Sequence, residues 1–108
     1  MQIDILTVLP GLFSGPFDHS ILKRAKEKGL LTINLHNLRD YTDYKHGQID
    51  DYQFGGGAGM VMMPEPLANA IEKLSQTTKY DEIIYMSPDG DRLDQKTANS
   101  LSLKSNLT

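Results

Sequence analysis

The sequence predicts one α/β domain with a mostly parallel sheet and flanking helices. The chain has 108 residues, which is a typical length for one domain. Short runs rich in Ile, Leu, Val and Thr alternate with segments whose apolar residues recur at helical spacing. Because neighbouring parallel strands need a long crossover between them, this alternation is typical of α/β proteins.

The first third of the chain predicts two strands joined by a helix. Residues 2–8 form an apolar run that a Leu-Pro-Gly sequence ends. A helix is predicted over 20–28, with the Ser20 hydroxyl capping its first turn and Gly29 as the left-handed residue after its end. Residues 31–36 alternate apolar and polar side chains, which predicts a half-buried strand with His36 on its polar face.

A second strand and helix pair is predicted in the middle of the chain. Residues 59–63 are apolar and favour a short strand. Pro64 suits the first turn of a helix, because proline lacks the N–H that would have no partner there. The apolar face of this helix consists of Leu67, Ala70, Ile71 and Leu74.

The last part of the chain repeats the pattern. Residues 82–86 predict a strand and 87–90 a turn, and a helix is predicted over 94–103. Residues 104–108 stand where the next parallel strand is expected to begin.

Composition excludes several classes of protein. There is no cysteine, which removes disulfide scaffolds, thiol catalysis and cysteine-based zinc sites. Eleven basic and fourteen acidic residues give a net charge of −3, whereas nonspecific nucleic-acid binders are usually basic. The N-terminus lacks a basic leader and the longest apolar runs are too short to span a membrane. We therefore expect a cytoplasmic protein without a membrane partner.

Residues 39–59, here called the polar segment, differ from the rest. They show no periodicity, and a segment of this kind is usually functional or disordered. It ends in a glycine-rich run, 55–59, which fits neither the P-loop nor the dinucleotide-binding spacing. The run is either a flexible connector or backbone that passes close to a flat ligand, and we favour the ligand.

Several polar residues are candidates for chemistry. His46 has the chemistry of an acid, a base or a phosphate contact, although lone histidines are more often surface residues. Asp50 and Asp51 are adjacent, so in a strand they would face opposite sides and form a poor catalytic pair. The spacing of His, Asp and Glu predicts no metal site.

Two further regions allow a binding and a structural interpretation. The predicted first helix carries four cations that suit either phosphate contact or a solvated face: Lys23, Arg24, Lys26 and Lys28. Arg39 extends this group. The turn at 87–90 follows a predicted strand, where α/β proteins bind ligands, but it also reads as an ordinary turn.

The sequence resembles a known family, the TrmD tRNA (guanine-N1)-methyltransferases of bacteria. The resemblance covers essentially the whole chain. It rests on Arg39-Asp40-Tyr41-Thr42, His46, Asp50-Asp51, Gly55-Gly56-Gly57-Ala58-Gly59-Met60-Val61-Met62, Tyr85-Met86-Ser87-Pro88-Asp89-Gly90 and Leu93-Asp94-Gln95. Asp89 and Ala58 depart from the commoner family pattern, in which glutamine and proline stand at these positions.

The resemblance implies a specific activity. The family transfers a methyl group from S-adenosylmethionine to N1 of guanosine 37 in tRNA, as a homodimer of the SPOUT class whose trefoil knot holds the cofactor. Neither DNA nor a membrane is an expected partner. The implied cofactor residues are Met86, Ser87, Pro88 and Gly90. The implied guanine and tRNA residues are His46, Asp50, Gly57, Gly59, Arg24 and Arg39.

Length limits what this chain is expected to do. Family members are about twice as long, and the other half holds the rest of the knot, the catalytic aspartate and a tRNA-binding domain. We therefore expect residues 1–108 to be the N-terminal part of a SPOUT domain, truncated before the knot is complete, without a catalytic base and inactive alone. Two alternatives stay open: a noncatalytic RNA-binding or dimerisation module, and a small α/β domain that binds a nucleotide-like ligand.

Overall fold

A computed structural model describes residues 1–52 and 59–108. Its strands and helices in chain order are β1 (Gln2–Thr7), α1 (Ser20–Glu27), β2 (Thr32–Asn37), β3 (Asp50–Tyr52), β4 (Met60–Met62), α2 (Pro64–Ser75), α3 (Gln95–Ser102) and β5 (Asn106–Leu107). Short 3-10 helices lie at Pro10–Phe13, Pro16–Asp18, Leu38–Tyr41 and Lys45–Gly47. Within these two ranges, no helix has the length and apolar character needed to cross a membrane.

The main sheet is parallel, as predicted. Its strand order is β2-β1-β5, so β1 is central, with Gln2 opposite both Thr32 and Asn106. The carboxylate of Asp81 holds the start of β5, because it accepts hydrogen bonds from the backbone N–H groups of Ser105 at 2.8 Å and Asn106 at 2.9 Å. β3 and β4 form a separate antiparallel pair. The predicted α/β class is confirmed.

A small apolar core joins α2 to the start of the polar segment. Leu38, Ile49 and Ala70 are buried and pack together, and Ala70 has no exposed surface. Leu67 and Tyr41 pack around them. α2 begins at Pro64 as predicted, and its predicted apolar face is the face that meets this core.

Two local predictions are wrong. Residues 82–86 are not a strand: Glu82 forms an isolated bridge with Leu107, and one further backbone bond runs from the Ile84 N–H to the Thr108 carbonyl at 2.7 Å. The Ser20 hydroxyl does not cap α1, since Ser20 itself has a left-handed φ of 57° and no side-chain hydrogen bond caps the helix. Gly29 does adopt the expected left-handed conformation, with φ 71°.

Candidate functional site

The polar segment begins where β2 ends. The first turn of the segment is fixed at its start, because the side-chain oxygen of Asn37 accepts a hydrogen bond from the Arg39 N–H at 3.0 Å. Leu38 is 3% exposed and anchors this turn in the core. Residues 42–48, which follow this turn, are too polar to pack in a core, so they lie at the surface beyond the carboxyl ends of the parallel strands.

The structure connects Arg39 to the turn that contains His46. The Arg39 guanidinium donates from Nη1 to the backbone carbonyl of Gly47 at 3.1 Å. Gly47 has φ 65°, and a Cβ there would lie 3.2 Å from the Cβ of Arg39, so this position favours glycine. His46 also has a left-handed φ of 60°, a conformation that histidine adopts more often than most residues with a side chain.

Asp50 and Gly59 lie on the strand pair that closes the segment. Asp50 is half-buried in β3 opposite Met62, and its carbonyl accepts from the Gln48 side chain at 2.9 Å. Gly59 directly precedes β4 and has φ 88°. Asp51 follows Asp50 within β3, so the two carboxylates face opposite sides as predicted. Gly57 lies outside the described residues.

The cations of α1 are less available than the sequence suggests. Lys23 pairs with Glu27 at 3.9 Å, and Lys26 pairs with Asp18 at 3.5 Å. Arg24 is exposed, and its side chain makes no hydrogen bond or ion pair with the described residues. The structure therefore does not join Arg24 to the Arg39 and His46 pair.

The predicted cofactor residues form a tight exposed turn. The Gly90 N–H donates to the Ser87 carbonyl at 3.2 Å, and the Asp89 N–H donates to the Ser87 hydroxyl oxygen at 3.2 Å. Pro88 lies between these bonds, and a Cβ on Gly90 would lie 3.4 Å from the Ser87 carbonyl oxygen. Met86, just before the turn, is 83% exposed.

An apolar groove of about 540 Å³ runs up to this turn. Its walls come from β1, from α2 and from the residues that precede the turn. The lining includes Ile3, Ile5, Leu67, Ile71, Tyr85 and Met86. A groove with these walls suits a flat, largely apolar ring better than a highly charged ligand.

A buried carboxylate on the sheet is a second polar centre, and the sequence alone does not predict it. Asp4, in the central strand, is 3% exposed. Its oxygens accept hydrogen bonds from Gln2 at 2.9 Å, Asn34 at 2.9 Å, His36 at 3.0 Å and Tyr80 at 2.5 Å. The available signal is the acid inside an apolar strand, opposite polar residues at alternate positions of the next strand.

The hydrogen bonds keep Asp4 ionised. Burial by itself raises the pKa of Asp4, but the donated bonds from the four partners outweigh it and lower that pKa from 3.8 to about 2. Burial and the bond to the Asp4 carboxylate together raise the pKa of Tyr80, so Tyr80 keeps its proton as the donor. His36 is therefore a partner of a buried anion rather than an ordinary residue on a polar face.

Acid is expected to weaken the fold through Asp4. The folded-state pKa of about 2 lies below the ordinary 3.8, so the stabilisation is complete well above pH 4 and is lost as pH falls towards 2. Its size is about 2 kcal/mol of unfolding free energy. Urea unfolding of the chain and of Asp4→Asn checks this at several pH values. The stability gap between them is expected to narrow as pH falls from about 6 to 3, and a constant gap contradicts the prediction.

No group of three or more His, Asp or Glu residues in the described ranges is arranged to hold a metal ion. The predicted site residues lie in three places: the Arg39 contact with the His46 turn, the strand pair with Asp50 and Gly59, and the turn at 87–90. The residues of the turn at 87–90 make no hydrogen bond or ion pair with the described residues of the other two places.

Comparison with known proteins identifies the family. The family model described as tRNA (Guanine-1)-methyltransferase TrmD matches residues 1–108. The chain is 62% identical over 107 residues to a protein named tRNA (guanine-N(1)-)-methyltransferase from Christiangramia forsetii, covering 99% of this chain. It is 58% identical over 107 residues to the Flavobacterium johnsoniae protein of the same name, again covering 99% of this chain.

A solved structure gives the same picture. The crystal structure of tRNA (m1G37) methyltransferase from Aquifex aeolicus matches with a TM-score of 0.88 and 31% identity, over 99% of this chain and 48% of that one. This chain likewise covers 47% of both the Christiangramia and the Flavobacterium protein, so it spans about half the length of the curated relatives it matches. The chain therefore belongs to the TrmD family of tRNA (guanine-1)-methyltransferases.

Proposed function

We propose that residues 1–108 are the N-terminal part of an S-adenosylmethionine-dependent methyltransferase that modifies N1 of guanosine 37 in tRNA. The observation that carries the proposal is the contact between Arg39 and the His46 turn, beside Asp50 and Gly59, in a chain of this family. The name of the Christiangramia forsetii relative gives tRNA and guanine N1 for that protein, and the name of the Aquifex aeolicus enzyme adds position 37.

Methyl transfer to guanine N1 requires a base and a methyl donor. Guanine N1 carries a proton at neutral pH, so methyl transfer requires a base that removes it. S-adenosylmethionine supplies the methyl group when it is bound. Arg39 is exposed beside the turn of His46, and a cation so placed suits a tRNA phosphate or a guanine carbonyl. Asp50 and the backbone at Gly59 would then border the guanine, with Gly57 and the exposed Arg24 as further tRNA contacts.

The turn at 87–90 fits one wall of an adenosine pocket. The apolar groove beside Met86 would take an adenine ring, and two hydrogen bonds within the turn, one to the Ser87 carbonyl and one to its hydroxyl oxygen, hold the conformation of Ser87, Pro88 and Gly90. The carboxylate of Asp89 is exposed next to this wall, where it would favour a cationic ligand such as a sulfonium.

We assign no general base to this chain. Asp50 and Asp51 face opposite sides of β3, so their carboxylates do not form a catalytic pair. The base, the rest of the knot and the second domain for tRNA are assigned to the other half of the whole protein. We propose that this protein is a cytoplasmic homodimer whose partner is tRNA, with neither DNA nor a membrane involved.

A hybrid protein tests the proposal. In it, residues 1–108 replace the matching half of the Christiangramia forsetii relative, with which they share 62% identity. The hybrid is expected to transfer labelled methyl from S-adenosylmethionine to tRNA that carries guanosine at position 37, and not to tRNA with adenosine there. The 108-residue chain alone is expected to give no turnover.

Each outcome has a defined meaning. Turnover by the isolated chain would overturn the assignment of the base to the other half. A folded hybrid that binds tRNA without methylating it would favour the noncatalytic RNA-binding module. A folded hybrid with neither property would overturn the proposal, provided that the unaltered relative is active in the same assay.

A further inference from the structure

Tyr41 connects the polar segment to β2 and to α2. It ends the first turn of the segment, Leu38–Tyr41, and is held from two sides. Its hydroxyl lies 3.3 Å from Nδ1 of His36 on β2. From α2, the Asn69 amide donates to the Tyr41 carbonyl at 3.1 Å, and the Lys73 ammonium lies 5.6 Å from the centre of its ring.

The other ring nitrogen of His36 meets the buried carboxylate. Nε2 of His36 lies 3.0 Å from Oδ1 of Asp4. An ionised carboxylate only accepts hydrogen bonds, so Nε2 must carry a proton. Neutral His36 therefore has a free lone pair on Nδ1, and the Tyr41 hydroxyl must donate to it. The contacts thus assign one tautomer to His36 and one direction to the Tyr41 bond.

We propose that His36, held between Asp4 and the Tyr41 hydroxyl, is a positioning residue that sets the orientation of Arg39 and His46 for the tRNA substrate. This inference rests on the function proposed above, and it adds residues outside the proposed substrate and cofactor contacts. Asp4 orients His36 from the side of the sheet, while Tyr41 passes that orientation to the polar segment.

The route from His36 to the candidate site is short. Tyr41 and Arg39 belong to the same 3-10 turn. Arg39 in turn holds the carbonyl of Gly47, directly after His46. Leu38 fixes the start of the turn in the core, and the Tyr41 hydroxyl bond adds a contact with β2 at the end of the turn. Loss of that bond is expected to shift the segment without unfolding the sheet.

Two substitutions, Tyr41→Phe and Tyr80→Phe, distinguish an effect on tRNA binding from an effect on stability, because each removes a single hydroxyl group. In the hybrid protein, Tyr41→Phe is expected to raise the KM for tRNA about threefold to tenfold, the range expected for one hydrogen bond, and to change kcat less. Tyr80→Phe removes a donor to the buried Asp4 and is expected to lower the unfolding midpoint more than Tyr41→Phe does, while the KM stays within about twofold of the unaltered hybrid.

The split between KM and kcat is a readout that a merely structural role would not move. The KM for tRNA is expected to rise in Tyr41→Phe and to stay near that of the unaltered hybrid in Tyr80→Phe. Equal changes in KM for both variants, or no change for Tyr41→Phe, would overturn the positioning role.

Nuclear magnetic resonance keeps this test separate from the proposed function. In the hybrid, ¹⁵N spectra are expected to show the Nε2-protonated tautomer of His36, and amide signals of residues 39–47 to shift in Tyr41→Phe but not in Tyr80→Phe. If these signals behave as expected in an inactive hybrid, the positioning stands and the function fails. If the other tautomer is found, or both variants shift the same signals, the positioning fails whatever the activity.

Discussion

Replacing Asp4 with alanine is expected to cost the fold about 3 to 5 kcal/mol of unfolding free energy. The carboxylate is 3% exposed and accepts bonds from four side chains, so its removal leaves several donors without their acceptor beside the central strand. Since domains are stabilised by only about 5 to 15 kcal/mol, a loss of this size is large. Urea unfolding followed by circular dichroism measures it.

Asp18→Ala is the matched control for that substitution. Asp18 also pairs with a cation, Lys26 at 3.5 Å, but its side chain is 62% exposed. Exposed pairs contribute at most about 1 kcal/mol, so the control is expected to unfold near the unaltered chain. If Asp4→Ala cost no more than Asp18→Ala, the buried carboxylate would not be a major source of stability.

Gly59→Val is expected to lower methyl transfer by the hybrid protein about a hundredfold or more, the loss that misplacement near a reacting centre causes. Gly59 has φ 88° directly before β4, and a β-branched side chain disfavours that conformation and would enter the proposed guanine site. Single-turnover assays with saturating S-adenosylmethionine measure the effect. Because this φ is strained for valine, some stability is also lost.

Gly29→Val distinguishes the loss of methyl transfer from the loss of stability. Gly29 has a similar left-handed φ of 71°, lies after α1 and has open space where a Cβ would be. It is expected to lose a comparable amount of stability while methyl transfer per folded molecule stays near that of the unaltered hybrid. Equal losses of transfer in both variants would remove the special role of Gly59.

The elements that the sequence predicts well are those set by local chemistry. β1, β2 and α2 follow from apolar periodicity, and Pro64 and Gly29 follow from backbone geometry that those residues favour. The failure at 82–86 has a different origin. Those residues have the composition of a strand, but a strand needs a partner, and pairing depends on the short β5 rather than on the segment itself.

The candidate site is predictable by residue type and not by contact. The motif points to Arg39, His46, Asp50 and Gly59, and the structure joins Arg39 to the turn of His46 through the Gly47 carbonyl, a backbone contact that no side-chain pattern encodes. Asp4 and Tyr80 are 76 positions apart in the chain, so their bond depends on the tertiary fold. The same holds for Arg24, whose apparent link to the basic residues of the polar segment does not appear as a contact.

The central position of β1 also bears on how the protein folds during synthesis. β1 is made before β5, yet its backbone is hydrogen-bonded on one side to Ser105 and pairs there with β5. Until β5 leaves the ribosome, that side of β1 lacks this native partner, and pairings of such long sequence separation form slowly. The nascent chain therefore carries an open strand edge until β5 has been made, which is a period of exposure to misfolding and a natural point for chaperone binding.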